Sequence, residues 1–263
     1  LGRQYHNAGR LSDAEAVYRR VVSRQPENAQ AIYLLGTVAG QTGRWRDAES
    51  LLTRAIALDP AQALYYNNLG IVLKRQGRLD EAIAAYRKAI ERQRDYPEAL
   101  SNLGNLLAAT GALDEAETCC RAATRLRPDY AEAHYNLGLA LFFSQRHEDA
   151  IAAFGRALEL QPQLAEAWYR MGMAKRAAGR VDEAYASFQH AIRLRPNLAE
   201  AHLELGVVQE LRGKHQAAVD SYRQALRLRP SFPEALNNLG NALKSLGKLE
   251  EAADAYRAAL RTN

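Results

Sequence analysis

Apolar residues recur along the chain with the spacing of amphipathic helices. In each stretch of 34 residues, an alanine is followed four positions later by an apolar residue and seven positions later by another, as in Ala82, Tyr86 and Ala89. Side chains at i, i+4 and i+7 lie on one face of an α-helix. The pattern predicts a protein built of α-helices, each of which buries one apolar face.

The pattern repeats at a fixed period of 34 residues without an insertion. Counted from Ala29, the eighth position of each repeat is glycine and the twentieth is alanine. The glycines are Gly2, Gly36, Gly70, Gly104, Gly138, Gly172, Gly206 and Gly240. The alanines are Ala14, Ala48, Ala82, Ala116, Ala150, Ala184, Ala218 and Ala252. Because both residues lack bulk, two helices can approach closely there. A period of this length is typical of stacked helix-turn-helix arrays.

Two further columns mark the ends of the predicted helices. The fifteenth position is glycine except at Gln145, and the thirty-second is proline except at Arg94. Glycine readily adopts the left-handed backbone that ends an α-helix, whereas proline cannot continue one. We therefore expect the first helix of each repeat to end near the fifteenth position and the second to end before the thirty-second.

These columns, with a mostly aromatic twenty-fourth position, resemble the tetratricopeptide repeat over the whole chain. The residues at that position are Tyr18, Leu52, Tyr86, Cys120, Phe154, Phe188, Tyr222 and Tyr256. The resemblance implies an all-α fold, a right-handed superhelix or α-solenoid of 34-residue helix-turn-helix repeats. It also implies that the first helices line the concave side, with positions two, five, six, nine, twelve and thirteen facing the groove.

The fixed period predicts a single solenoid domain over residues 1–263. Residues 1–28 form a partial repeat, and the following repeats span residues 29–62, 63–96, 97–130, 131–164, 165–198, 199–232 and 233–263. Solenoid ends usually carry a polar capping face, and none follows Leu260. We expect the chain to be a piece of a longer protein; the alternative is a self-contained protein whose ends are capped by dimerisation or by an unusually short end.

Charge and composition narrow the classes of function. The net charge of +5 is modest, and the basic residues lie mainly at helix ends rather than on the one face that nucleic-acid binding needs. No stretch resembles a signal peptide or a membrane span. Cys119 and Cys120 are neighbours on one predicted helix, so we expect no disulfide between them. We expect a cytoplasmic protein without nucleic-acid or membrane partners.

Motifs for catalysis or cofactor binding are missing from the sequence. There is no phosphate loop, dinucleotide fingerprint or nucleophile elbow, and the histidines lack partners at metal-ligand spacing. His134 and His202 occupy the fourth position, where we expect them to pack against the neighbouring repeat. The sequence thus predicts a protein that is not an enzyme and that holds neither a metal nor a cofactor.

Asparagine recurs on the predicted groove face. The sixth position reads Leu34, Asn68, Asn102, Asn136, Arg170, Glu204 and Asn238, and the ninth adds Asn105 and Asn241. A side-chain amide carries both a donor and an acceptor, as a peptide group does, so a ladder of asparagines can hold an extended chain by its backbone. The alternative is that these asparagines are solvated or bridge neighbouring repeats.

Other groove positions offer anchors for ligand side chains. Tyr135 and Tyr169 occupy the fifth position, and Arg170 adds positive charge. Phe142 and Phe143 are apolar where water would be expected, which indicates either a pocket for a ligand side chain or a contact with the adjacent repeat. Together with the asparagines, these five residues make up the predicted peptide-binding site.

Recurring Asn-Leu-Gly segments, at residues 68–70, 102–104, 136–138 and 238–240, extend the resemblance. They resemble the repeat region of O-linked N-acetylglucosamine transferases and SPINDLY-like proteins, where the repeats recruit protein substrates to a C-terminal catalytic domain. Three functions follow as hypotheses. The first is a scaffold that binds an extended peptide or partner segment in its groove. The second is the substrate-recruiting arm of a larger transferase whose catalytic domain is absent here, and the third is a spacer that self-associates through its uncapped ends.

Overall fold

The computed structural model describes residues 1–262, and over that range it consists of sixteen α-helices and no strand. Asn263, the last residue of the predicted final repeat, lies outside the described residues. The helices are α1 (Gly2–Asn7), α2 (Leu11–Arg24), α3 (Ala29–Gln41), α4 (Trp45–Leu58), α5 (Ala63–Arg75), α6 (Leu79–Arg92), α7 (Pro97–Thr110), α8 (Leu113–Leu126), α9 (Ala131–Phe143), α10 (His147–Leu160), α11 (Ala165–Ala177), α12 (Val181–Leu194), α13 (Ala199–Leu211), α14 (His215–Leu228), α15 (Pro233–Ser245) and α16 (Leu249–Arg261). The all-α repeat fold expected from the period is thereby confirmed.

The helices form two compact units, which we describe separately. The first unit contains α1–α8 and ends at Pro128, and the second contains α9–α16 and starts at Asp129. In both units each odd-numbered helix packs along the even-numbered helix that follows it, and within each unit that second helix also packs against the next first helix. From α3 onward the first helices begin at the first position of a repeat, and all second helices begin at the seventeenth.

Each helix pair is closed by a turn with one left-handed residue. Seven of these residues are the glycines at the fifteenth position, with φ between +70° and +89°. Gln145 takes the same conformation with φ of +61°, and it is the one described residue other than glycine with a positive φ. The backbone N–H of Arg146 donates to the Leu141 carbonyl at 2.9 Å, as Arg44 does to Ala39. The turn therefore keeps its conformation in the one repeat where glutamine replaces the glycine.

The core of each repeat is organised around the glycine at the eighth position. A Cβ atom on Gly138 would lie 2.6 Å from the ring of Phe154, and one on Gly70 would lie 2.6 Å from the ring of Tyr86. Both rings are almost fully buried. A ring at the twenty-fourth position thus rests directly on the backbone of the paired helix, which is possible only because the glycine has no side chain.

Cysteine replaces the ring in one repeat. Cys120 is fully buried with its Sγ against Gly104, and its neighbour Cys119 is also buried. Both thiols are free, as the sequence predicted. Burial raises the pKa of Cys119 to about 11 and that of Cys120 to about 12. Burial thus disfavours the thiolate, which is the reactive form of cysteine, at both residues.

Ion pairs join successive second helices along one edge of the repeats. The Arg44 guanidinium lies 2.6 Å from Glu15, and the Arg78 guanidinium lies 2.6 Å from Glu49. The hydrogen bond from Arg44 holds the pKa of Glu15 at about 2, well below its ordinary value of 4.5. Partly exposed pairs of this kind contribute little to stability individually, so they help to set the register between repeats rather than drive the packing.

Replacing Gln145 with glycine should stabilise the second unit. A left-handed conformation costs a residue with a side chain about 1–2 kcal/mol. Glycine avoids this cost but makes the unfolded chain more flexible, which reduces the gain in stability by about 0.4–1 kcal/mol. We expect a gain of roughly 0.5–1 kcal/mol for Gln145→Gly in urea unfolding. In the converse variant Gly179→Gln the new side chain meets no other atoms at its Cβ, and we expect a similar loss of stability. Equal stabilities of the wild type and both variants would mean that Gln145 is not strained.

Adding one methyl group at the eighth position should be costly. Gly138→Ala forces its Cβ into the Phe154 ring, and overpacking of a core costs about 1–3 kcal/mol. The better helix propensity of alanine offsets about 1 kcal/mol of this cost. We expect a net loss of stability, measured by thermal or urea unfolding.

Gly155→Ala is the matched control for this change. Gly155 lies in α10, the helix that pairs with α9, and a methyl group added to it would find no atom of another part of the protein within 4 Å. Its replacement should therefore stabilise the protein by roughly 0.5–1 kcal/mol through helix propensity. The same sign for both variants would mean that the contact with the ring does not limit the packing.

Candidate functional site

Two adjoining clefts lie on the first helices α1, α3 and α5 of the first unit, and Trp45 and Leu52 of α4 also line one of them. One, of about 390 Å³, is lined by Arg3, His6, Asn7, Gln30, Tyr33, Leu34, Thr37, Gln41, Leu64 and Asn68. The other, of about 290 Å³, is lined by Gly36, Thr37, Gly40, Gln41, Trp45, Leu52, Asn68, Ile71, Val72 and Arg75. We call them the first-helix clefts. All six groove positions expected on α3 line them, so those positions share one surface.

A hydrogen-bonded network of side chains crosses this surface. The Asn68 amide donates to the Tyr33 hydroxyl at 2.8 Å, and the Asn67 amide donates to Asn68 Oδ1 at 3.3 Å. The Asn102 amide donates to Asn67 Oδ1 at 3.0 Å. Tyr96 also hydrogen-bonds Asn67, and burial raises its pKa to about 12. The network joins α3, α5 and α7, so the asparagines of the predicted ladder bridge neighbouring repeats in this unit.

The members of the network differ in exposure. Asn67 is buried, with 4% of its surface exposed, whereas Asn68 and Asn102 are partly exposed. Asn105, also partly exposed, accepts a hydrogen bond from the Lys74 ammonium at 2.6 Å. The buried amide orients its neighbours, and the partly exposed amides keep a surface toward solvent.

In the second unit the same positions carry different chemistry. Asn136 and Tyr169 are buried, while Tyr135, Arg170 and Asn238 are partly exposed. Arg170 Nε lies 3.2 Å from Glu166, and its guanidinium lies 5.2 Å from the centre of the Tyr169 ring. Tyr135 also hydrogen-bonds Arg170. At this one sixth position, arginine therefore takes the place of the amide and is held by a carboxylate and two tyrosines.

Glu204 is a buried carboxylate at the next sixth position. Burial raises its pKa above the ordinary value, although the Arg176 charge acts in the opposite direction. Its Oε2 lies 2.9 Å from Arg176 Nε, but the two atoms are not aligned as a hydrogen bond. Burial together with the Glu204 charge raises the pKa of Tyr169 to about 12. The Glu204 carboxylate therefore lies buried beside the Arg176 guanidinium.

The two predicted phenylalanines have separate environments. Phe142 packs against the core formed by α9, α10 and α11, and its ring lies 5.6 Å from that of His147. Phe143 remains 44% exposed. At the far end of the unit, Asn241 is exposed and accepts a hydrogen bond from the Tyr256 hydroxyl at 2.7 Å. Phe143 is the more exposed member of the phenylalanine pair, since Phe142 is partly buried.

The fourth-position side chains fasten the turns between repeats. His202 hydrogen-bonds the Pro196 carbonyl at 3.0 Å, and Trp168 donates to the Pro162 carbonyl at 2.9 Å. His202 thereby contacts the end of the preceding repeat. In residues 1–262, no three His, Cys, Asp or Glu side chains are grouped so as to hold a metal ion.

Sequence reasoning missed Thr37 and Gln41 as cleft residues. They occupy the ninth and thirteenth positions, which the resemblance to the family already assigned to the groove. A search for recurring residue types overlooked them because each of these residue types occurs only once in its column among the first three repeats. Reading positions rather than residue types would have found them.

Comparison with known families supports the assignment of the repeats. Two family models, both described as tetratricopeptide repeat, match residues 1–63, 33–97, 68–131, 101–165 and 212–263, and residues 163–231, respectively. These matches cover the chain from end to end. The chain belongs to the tetratricopeptide repeat family. No curated protein sequence matches it significantly.

Solved structures share the fold. A chain of the APC/C hetero-tetramer Cut9–Hcn1 superposes with a TM-score of 0.79 at 21% identity over 92% of this chain, and the match spans about half, 48%, of that chain. YrrB, a TPR protein with an unusual peptide-binding site, gives a TM-score of 0.58 at 26% identity over 70% of this chain and 95% of its own. MamA gives 0.58 at 26% identity over 61% of this chain and 94% of its own. The likeness to the chain of the Cut9–Hcn1 structure shows the fold alone.

No helix among the described residues is both long and apolar enough to cross a lipid bilayer.

Removing the central amide of the network should destabilise the first unit. In Asn67→Ala the Asn102 and Asn68 amides and Tyr96 lose a buried partner, and an unsatisfied polar group costs about 1–3 kcal/mol. Asn237→Ala changes the same repeat position where the side chain is exposed, and we expect an effect within about 0.5 kcal/mol. Urea unfolding measures the stability of both variants. Equal losses would mean that the hydrogen-bonded network does not contribute to the stability of the fold.

Proposed function

We propose that this chain is a protein-interaction scaffold that binds an extended segment of a partner on the face formed by its first helices. The observation that carries the proposal is the pair of first-helix clefts, which the groove positions of α3 line together with Asn68. Repeat arrays present long surfaces of this kind rather than enclosed pockets. An extended segment can follow such a surface from one repeat to the next.

The hydrogen-bonding capacity left on the ladder suits a peptide backbone. A side-chain amide has two N–H donors and an oxygen with two lone pairs. Asn68 uses one donor on Tyr33 and one lone pair on Asn67, so one of each remains for a ligand. Asn102 uses one donor on Asn67. Because the network already orients these amides, binding orders fewer side chains and loses less entropy.

In the second unit, side-chain anchors replace the amide ladder. Phe143 offers an exposed ring and Arg170 a partly exposed cation, with Tyr135 beside it. Aromatic and arginine side chains often carry most of the energy of a protein interface. Asn238 and Asn241 supply further partly exposed or exposed amides at the end of this unit. Asn136 and Tyr169 are buried, and their role in the proposal is to position the exposed side chains that contact the ligand.

YrrB is described as a TPR protein with a peptide-binding site, and it shares 26% identity with this chain over 70% of this chain's length. That similarity supports the proposal that this chain binds a peptide segment. A second candidate keeps the same binding face and assigns it to substrate recruitment by a larger O-linked N-acetylglucosamine transferase-like enzyme. The Asn-Leu-Gly segments favour it, since Asn68 and Asn102 of those segments both belong to the network. The coding sequence of the parent protein tests this candidate: a glycosyltransferase domain would support it.

The double variant Asn68→Ala/Asn102→Ala should lose ligand binding. Each amide contributes about 0.5–1.5 kcal/mol as a hydrogen bond exchanged with water, so the loss is roughly ten- to hundredfold in Kd. The probe is a peptide selected on the wild-type chain from a random phage-displayed library of 12-residue peptides. Fluorescence anisotropy with the labelled synthetic peptide measures the affinity, and methylation of the peptide amides should weaken it more than changes of its side chains.

Asn197→Ala serves as the control, because Asn197 is exposed in the turn between α12 and α13. It should bind the peptide as tightly as the wild type. Urea unfolding of the double variant must also show a folded protein at the assay temperature. If a folded double variant bound the peptide with unchanged affinity, the amides would bridge repeats without contacting ligand.

A further inference from the structure

The first-helix clefts carry an uneven distribution of charge. Arg3 lines one cleft and Arg75 the other, whereas no aspartate or glutamate of the described chain lines either of them. The remaining lining groups are amides, hydroxyls, one histidine, one tryptophan and aliphatic side chains. The two clefts therefore combine positive charge with no negative charge of their own.

These arginines differ from Arg44 and Arg78 of the same unit, which are held by Glu15 and Glu49. Arg75 is exposed at the end of α5, and no described carboxylate lies within ion-pair distance of it. Arg3 likewise has no carboxylate partner among residues 1–262. Two guanidinium groups thus face the clefts without a counter-charge from the protein.

Apolar surface lies next to this charge. Ile71, one helical turn before Arg75 on α5, is 39% exposed and lines the same cleft. Leu64 is 44% exposed and lines the adjoining one. A ligand that fits must therefore bring an anionic group and an apolar side chain close together.

Resting on the proposed function, we infer that the first-helix clefts select an extended partner segment that carries a carboxylate side chain, which pairs with Arg75, next to an apolar side chain, which contacts Ile71. Guanidinium and carboxylate groups match each other in a two-bond geometry, and these charge-assisted hydrogen bonds are the stronger kind. Arg3 adds to the positive potential of the surface and raises the rate at which acidic segments associate.

Selection from a library tests this inference. Random 12-residue peptides displayed on phage, with their C-termini fused to the coat protein, are selected on the wild-type chain, on Arg75→Gln and on Arg125→Gln. Arg125→Gln removes the same charge from an exposed arginine on α8, away from the clefts. The fusion excludes terminal carboxylates and the library contains no phosphate, so any enriched acid is an aspartate or glutamate side chain. We expect one such position beside an apolar residue for the wild type and for Arg125→Gln.

Affinities of the synthetic, amidated peptide complete the test. Arg75→Gln should weaken its binding about tenfold or more, and Arg125→Gln should not. Replacing the selected acid with its amide should weaken binding to the wild type by a similar factor and have little further effect on Arg75→Gln. High salt should weaken the wild-type complex more than the Arg75→Gln complex.

The outcomes separate this inference from the function on which it rests. Peptides that bind without an enriched acid, or whose acid preference persists in Arg75→Gln, overturn the inference and leave the scaffold function standing. If no peptide binds the wild-type chain, the proposed function fails and the inference fails with it.

Discussion

A contact between a glycine and a ring sets the geometry on which the other features of each repeat depend. The glycine at the eighth position brings the first helix so close to the second that a buried ring, such as Phe154 on Gly138, touches its backbone. Alanine at the twentieth position, which is fully buried at Ala82 and Ala150, adds little bulk to the second helix, so the two helices can approach closely. Since protein interiors are close-packed, any larger residue at these places would push the helices apart.

This close pairing determines what the opposite side of the first helix can do. With one face of α3 committed to its partner, the positions two, five, six, nine, twelve and thirteen are left to line the clefts. The spacing between successive repeats also brings Asn102 within 3.0 Å of Asn67, and Asn68 within 2.8 Å of Tyr33. Packing within repeats thus sets up hydrogen bonding between them, and that hydrogen bonding fixes the side chains that face a ligand.

The two units use the same positions for different chemistry. In the first, amides and unpaired arginines face the clefts, which suits a backbone and a carboxylate. In the second, Arg170 is held between Glu166 and tyrosines, Glu204 is buried beside Arg176, and Phe143 is exposed. A repeat array allows this variety because the glycine–ring contact itself is kept, while Tyr135 and Tyr169 of this face pack against the rings of Phe154 and Phe188. The face can therefore change while the fold is kept.

The sequence by itself determined the repeat, the helix boundaries and the class of fold, because these depend on local spacing and on residues such as Gly36 and Ala48 whose small size has one structural use. Through the resemblance to a family, it also predicted which positions face the groove. Tertiary structure alone decided which asparagines bridge repeats, that Asn136 is buried while Asn68 is partly exposed, and that Arg75 lacks a carboxylate partner. Those properties depend on distances between side chains about 34 residues apart. A periodic pattern of residue types specifies neither the rotamers of these side chains nor the few ångströms that separate a hydrogen-bonded donor from one without a partner.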